Sequence, residues 1–138
     1  MKKIGLDIGT VRIGVATSDI LGIIASAYQV YTRKNLDADA KYMAALAEKL
    51  EADGFVLGLP LKMDGTEGQS VQMVREFASK LQEYTKLPIY YQDERLTTVS
   101  AERILLEADM RRDKRKNVID RIAATIILQA YLDKPKKD

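Results

Sequence analysis

The stretch Ile4-Gly5-Leu6-Asp7-Ile8-Gly9-Thr10 decides how the rest of the chain is read. Side chains alternate along a strand, so Ile4, Leu6 and Ile8 share one face while Gly5, Asp7 and Gly9 share the other. The second face carries one carboxylate with empty space on both sides. A buried charge costs several kcal/mol unless it is paired, protonated or bound to a metal, and the flanking glycines leave room for such a partner. The plainer alternative is an Asp that caps the following turn. Which holds depends on the other acids that the fold brings to the same edge.

Working outward, Arg12 to Ser18 alternates again directly after the Gly9-Thr10 turn, which predicts a hairpin partner for the first strand. Ile23 to Tyr31 is rich in Ile, Val and Tyr and predicts a third strand after a break at Asp19 to Gly22. From Leu36 the period becomes helical, with Asn35 as cap and Asp53-Gly54 as terminator. Phe55-Val56-Leu57-Gly58-Leu59 is apolar without alternation, as a parallel strand buried on both faces would be. Thr66 and Gln69 form a candidate capping box ahead of the stripe Val71, Val74, Phe77, Ala78 and Leu81. Pro88 precedes a fifth strand, Ile89 to Gln92. Thr97 or Thr98 can cap a third helix, a basic segment interrupts, and a last helix starts near Asn117 and runs to about Leu132.

The order β-β-β-α-β-α-β-α-α describes an α/β fold, a five-stranded mixed sheet with helices on both faces. Residues 1–138 are expected to form one domain, long enough to bury a core. The interrupted apolar start and the lack of any stretch of membrane-spanning length predict a soluble, uncleaved protein with no membrane partner. The chain has no cysteine, which fits a reducing cytoplasm. It also has no histidine, so it can build neither a Ser-His-Asp or Cys-His triad nor a standard zinc site. Hydrolysis here would rest on carboxylates and hard cations, for which oxygen-only ligand sets suit Mg²⁺ or Mn²⁺. Net charge is only +2, from 22 Lys and Arg against 20 Asp and Glu, so its distribution is more informative than its sum.

In an open α/β sheet, ligands bind beyond the carboxyl ends of the parallel strands. Glu94 lies just past the strand that starts at Ile89, and it can approach Asp7 if the first, fourth and fifth strands are parallel and adjacent. Asp120 shares a helical face with Ala123, Ala124 and Ile127, so that acid is expected on the packed side, pointing its turn toward Asp7. Taken singly, Glu94 suits a solvated loop and Asp120 a helix-dipole or cap role. Together the three acids suggest a cation site. Arg111, Arg112, Lys114, Arg115 and Lys116 stand directly before Asp120, where they could hold phosphates, with Arg12, Lys62 and Arg95 as further candidates.

Several segments resemble one known family. They are Gly5-Leu6-Asp7-Ile8-Gly9 with Arg12-Ile13-Gly14-Val15-Ala16, Gly58-Leu59-Pro60-Leu61 with Asp64-Gly65-Thr66-Glu67-Gly68, Asp93-Glu94-Arg95-Leu96-Thr97-Thr98, and Asp120-Arg121-Ile122-Ala123-Ala124. In this order they resemble the bacterial YqgF family, also called the RuvX-type Holliday junction resolvase-like family. The resemblance implies an RNase H-like fold and a Mg²⁺- or Mn²⁺-dependent nuclease with Asp7, Glu94 and Asp120 as catalytic acids and metal ligands. It implies either maturation of the 5′ end of pre-16S ribosomal RNA or resolution of four-way DNA junctions, so the nucleic-acid partner is a structured RNA or a branched DNA. Two ions roughly 3.5 to 4 Å apart would serve such a cut. Related resolvases bring a fourth carboxylate one turn along the last helix, where this chain has Ala123, so ligation of a second ion stays open. Monomer and homodimer both stay open, since only symmetric junction resolution requires paired sites.

Two alternatives have different sequence signatures. A nucleic-acid-binding module without catalysis would need the basic run but not the acids. A nucleotide-dependent kinase is suggested because Asp7-Ile8-Gly9-Thr10 is also similar to the first phosphate-binding hairpin of the sugar kinase and actin superfamily. Those proteins close two related domains around the nucleotide, and this length supplies one. A Rossmann site is excluded because the glycine-rich turn leads into a strand, not a helix.

Overall fold

The computed structural model describes residues 2–62, 64–94 and 112–135, with the backbone alone for 112–121. Five strands form one mixed sheet: β1 (Lys3–Ile8), β2 (Arg12–Ser18), β3 (Ala25–Thr32), β4 (Gly54–Leu59) and β5 (Ile89–Asp93), in the order β3-β2-β1-β4-β5. β2 is antiparallel to both β1 and β3, whereas β1, β4 and β5 are parallel and adjacent. This is the arrangement expected from the sequence, and it puts the carboxyl ends of three strands side by side. The described helices are α1 (Leu36–Lys49), α2 (Gln69–Leu81) and α3 (Arg112–Leu132).

Strand alternation sorts the helices into two layers. Ile4, Leu6 and Ile8 pack with Ile13 and Val15 against Met43 of α1 and against Phe77 and Leu81 of α2. On the opposite side, Ala16 and Val56 meet Ala123, Ala124, Ile127 and Leu128 of α3. Contact there is close: a Cβ on Gly5 would stand 2.7 Å from Leu128 Cβ and 3.2 Å from the Ala124 carbonyl oxygen. Farther along, Gln129 Oε1 accepts the Ala25 N–H at 2.8 Å, at the end of the sheet where Ser18 pairs with Ala25. α3 therefore runs antiparallel to β1. Its earlier turns lie toward the carboxyl end of β1, which carries Asp7.

Several boundaries differ from the sequence expectation. β3 starts at Ala25 because Asp19 Oδ1 takes the N–H groups of Ile23 and Ile24, at 2.7 and 2.9 Å, and keeps both residues in the turn. Asn35 caps α1 as expected, accepting the Ala38 N–H at 2.8 Å. The helix stops before Asp53-Gly54, however: Glu51 takes φ 57° and Ala52 N–H returns to the Ala47 carbonyl at 2.9 Å. Gly54 instead opens β4, seated between Lys3 and Tyr90. The Thr66–Gln69 capping box does not form, because Asp64 Oδ1 captures the Thr66 N–H and hydroxyl at 2.9 and 2.6 Å and α2 begins behind an uncapped Gly68.

The largest correction concerns α3, which begins at Arg112, five residues ahead of Asn117, so Arg112 to Lys116 is helix and not an intervening loop. No Gly or Pro interrupts it, and the helix propensity of Lys and Arg outweighs the unfavourable placing of cations in a first turn. The helix expected after Thr97 or Thr98 lies outside the described residues. None of the described helices is long and apolar enough to cross a membrane.

Candidate functional site

Asp7 pairs with Gly14 on β2. On its other side, continuing the parallel register past Leu6 and Leu57 sets it level with Gly58 of β4, which in turn pairs with Gln92 of β5. One row on the α3 side of the sheet thus reads Gly14, Asp7, Gly58, Gln92. The acid has a glycine on both neighbouring strands as well as at both flanking same-face positions of its own strand. Sequence inspection reveals the second pair of glycines and not the first, because only strand pairing brings Gly14 and Gly58 alongside.

Glu94 follows β5 directly and is 8% exposed. Its N–H donates to the Leu59 carbonyl at 3.2 Å. Its carboxyl carbon and Oε2 lie 3.2 Å from the place a Cβ on Gly58 would take. The missing side chain of Gly58 is what admits the carboxylate to the row that holds half-buried Asp7. Asp7 and Glu94 therefore lie at one edge of one face of the sheet. Asp120 stands in α3 one turn before Ala124, on the part of the helix that lies toward this edge, but its side chain lies outside the described residues.

The turn that follows Asp7 is tied down from the opposite layer. Gly9 N–H donates to the Arg12 carbonyl at 2.9 Å, closing the hairpin. Arg33 donates from Nη1 to the Gly9 carbonyl at 3.0 Å and from Nε to Asp39 Oδ2 at 2.9 Å, while its guanidinium carbon stands 5.8 Å from the centre of the Phe77 ring. Asp39 is fully buried and also accepts the Tyr31 hydroxyl and the Lys34 N–H, both at 2.9 Å. Burial pushes its carboxyl up, but the Lys34 N–H, the Arg33 guanidinium and the Tyr31 hydroxyl outweigh that and hold it below the usual carboxylate range. Burial, reinforced by the bond to Asp39, pushes the Tyr31 phenol up to about 12. This network is not legible in the sequence: Asp39 stands in the helix after Asn35 as an ordinary polar position, and nothing in the helical period marks it as buried.

The remaining candidates are placed unevenly. Arg12 opens β2, half-buried, on the alternation that includes Gly14 and Ala16, and so belongs to the α3 side and the Asp7 edge. Lys62 is exposed in the loop after β4, with its Cε 2.9 Å from a Cβ position on Gly68, over the N terminus of α2 and thus in the other helix layer. Arg95 and Arg111 lie outside the described residues, as do the side chains of Arg112, Lys114, Arg115 and Lys116. Gln92 was not singled out from sequence. It is 7% exposed, donates from Nε2 to the Asp93 carbonyl at 3.3 Å, and has no hydrogen-bond partner on Oε1 among the described residues.

Among the described residues, no group of three or more acids closes around a cation position. What is described nevertheless fits a hard divalent ion: the candidate ligands are oxygens, Asp7 and Glu94 share one edge of one face with a glycine in the row between their strands, and a buried amide oxygen of the same row is unsatisfied among the described residues.

The chain is similar to known proteins along nearly its whole length. A protein of Syntrophomonas wolfei named "Putative pre-16S rRNA nuclease" is 49% identical over 133 residues, covering 96% of this chain and 94% of its own. One of the same name from Moorella thermoacetica is 48% identical over 134 residues, covering 97% and 96%. Among solved structures, the fowlpox virus Holliday junction resolvase superposes with a TM-score of 0.55 at 13% identity, covering 96% of this chain and 99% of that one. Thermus thermophilus RuvC in complex with a Holliday junction substrate gives 0.54 at 11% identity, covering 96% of both. At such identities these two likenesses speak for the fold alone, which is RNase H-like. Residues 1–134 match the family model described as "RuvX: Holliday junction resolvase", and the chain belongs to that family.

Proposed function

We propose that the chain is a metal-dependent nuclease that hydrolyses phosphodiester bonds, acting in 5′-end processing of pre-16S ribosomal RNA as one domain over residues 1–138. The observation that carries this is the buried Glu94 carboxylate seated over the gap at Gly58, in the strand row that also holds Asp7. The relatives' names supply the substrate class.

In this reading Asp7 and Glu94 hold Mg²⁺ or Mn²⁺ with Asp120 as third ligand, and a bound divalent ion supplies an activated water and neutralises charge on the phosphoryl oxygens. The chain's own residues do the rest. Arg33 fixes the Gly9 carbonyl and so holds the turn that ends the Asp7 strand. Arg12, at the same edge, is placed to orient a phosphate next to the scissile one. Arg95, Arg111, Arg112, Lys114, Arg115 and Lys116 supply by their charge further candidates for phosphate contacts, and Lys62 serves a more distant part of the backbone.

The family model's description favours a second reading, resolution of four-way DNA junctions. Cleavage of end-labelled pre-16S leader RNA and of a synthetic four-way junction, run in parallel with Mg²⁺ or Mn²⁺, separates the two. RNA cutting that Asp7→Asn abolishes supports rRNA processing. Paired symmetric nicks in the junction alone support resolution, and with it a dimer. Binding without any turnover would leave a nucleic-acid-binding module and overturn both nuclease readings.

A further inference from the structure

Gln92 is the one buried polar side chain at the acidic edge whose hydrogen bonding is incomplete among the described residues. It is 7% exposed, on the strand register that pairs it with Gly58, and therefore in the row of Asp7 and on the face over which Glu94 folds. Its amide reaches forward along the strand: Nε2 donates to the carbonyl of Asp93, the residue immediately before Glu94, at 3.3 Å. That bond fixes the orientation of the amide, since turning it over would set Oε1 against a carbonyl oxygen and leave both N–H groups without that acceptor. Oε1 is thus a buried acceptor with no partner among the described residues, in the strand row that holds Asp7. Buried acceptors in folded proteins are nearly always satisfied, by water or an ion's hydration shell if not by protein.

We propose that Gln92 is a positioning residue of this site, whose Oε1 accepts a hydrogen bond from the hydration shell of a divalent cation held by Asp7 and Glu94. The inference rests on the metal-dependent reading above and extends it to a residue that the three-acid set does not include. Mg²⁺ and Mn²⁺ in carboxylate sites keep several waters, and those waters are strong donors that need acceptors at fixed places. A neutral amide accepts from those waters without the repulsion that a further carboxylate beside Glu94 would bring to the metal-free chain. The Nε2 bond to Asp93 holds the acceptor still.

The test measures Mn²⁺ affinity of the full chain from the electron paramagnetic resonance signal of the free ion, together with the metal-free melting temperature. Gln92→Met keeps the size of the side chain and removes the acceptor. Loss of an outer-shell partner typically costs about 10- to 100-fold in metal affinity, so a rise of at least about tenfold in Kd is expected. The metal-free melting temperature should stay the same or rise, because an unsatisfied acceptor has gone. Gln92→Glu keeps an oxygen acceptor and should bind Mn²⁺ at least as tightly as wild type. That variant decides the matter if Gln92→Met fails to fold, and weaker binding by it overturns the inference. Wild-type affinity in Gln92→Met, with affinity lost in Asp7→Asn, also overturns the inference and leaves the metal site standing. Absence of Mn²⁺ binding by the wild type overturns the metal-dependent reading, and this inference with it.

Discussion

The Glu94 carboxyl group occupies the space that a side chain on Gly58 would need, with Cδ and Oε2 both 3.2 Å from that Cβ position. The same position lies 2.5 Å from Ile127 Cδ1, the tip of a side chain on α3. Gly58→Ala should therefore displace both. The Ile127 tip can swing aside, so the stability cost should sit near the lower end of the ~1–3 kcal/mol of core overpacking. A shifted carboxylate is more damaging to chemistry, where a misplacement of about 1 Å can cost about 100-fold. Cleavage kinetics and urea denaturation on the same protein check this. Wild-type cleavage by folded Gly58→Ala would separate Glu94 from the reaction.

Gly5 makes the opposite prediction. A Cβ there would meet Leu128 Cβ at 2.7 Å and the Ala124 carbonyl at 3.2 Å, so the obstacle is the trunk of a side chain and helix backbone. Neither can rotate away, and α3 must lift off β1. Gly5→Ala should destabilise by more than Gly58→Ala, about 3 kcal/mol or above, with activity falling in proportion to the folded fraction. Pairing it with Leu128→Ala should recover none of the backbone clash with Ala124. Thermal melts of the three variants test the order.

The strand order and the placing of the helices were legible because alternation in Ile4 to Ile8 and the unbroken apolar run at Phe55 to Leu59 each leave few options. Asp7 and Glu94 could be set at one edge from sequence because parallel neighbours bring their carboxyl ends together. What stayed hidden depends on cross-strand register or on competition between local partners. Gly14 and Gly58 become neighbours of Asp7 only through pairing. The Thr66 box failed because Asp64 lies nearer than the helix. The start of α3 at Arg112 was missed because a run of cations looks like a solvated loop until helix propensity is summed over it.

Arg33 and the buried Asp39 form a largely buried ion pair at 2.9 Å that also supports the Gly9 carbonyl. Removing one partner leaves the other charge uncompensated, which costs about 3–5 kcal/mol. Arg33→Met should fall in that range and release the Gly9 turn, and Asp39→Leu should cost a similar amount. The double variant should cost clearly less than the sum, because no charge is then left alone in the core. A double-mutant cycle by denaturant titration gives the coupling directly, and strict additivity would show that the pair is not energetically linked.

The same network fixes how stability responds to pH. Asp39 titrates below its ordinary value of 3.8 in the folded chain. Its contribution is thus fully present above that value and is lost as pH falls through the lowered folded pKa, because the unfolded chain takes up the proton first. Tyr31 works at the other end. Its folded pKa is raised from 10.0 to about 12, so between those values the unfolded chain has lost a proton that the folded chain keeps. Stability from Tyr31 is therefore full below about pH 10 and declines as pH rises toward 12. Phenolate absorbance should show a tyrosine ionising well after the exposed ones. Tyr31→Phe should remove that late step and flatten the alkaline fall in melting temperature, and it should weaken the acid limb as well, because one of the bonds that hold Asp39 low is lost. If the late step survives in Tyr31→Phe, it belongs to another tyrosine, and the hydroxyl bond to Asp39 is not what holds the proton.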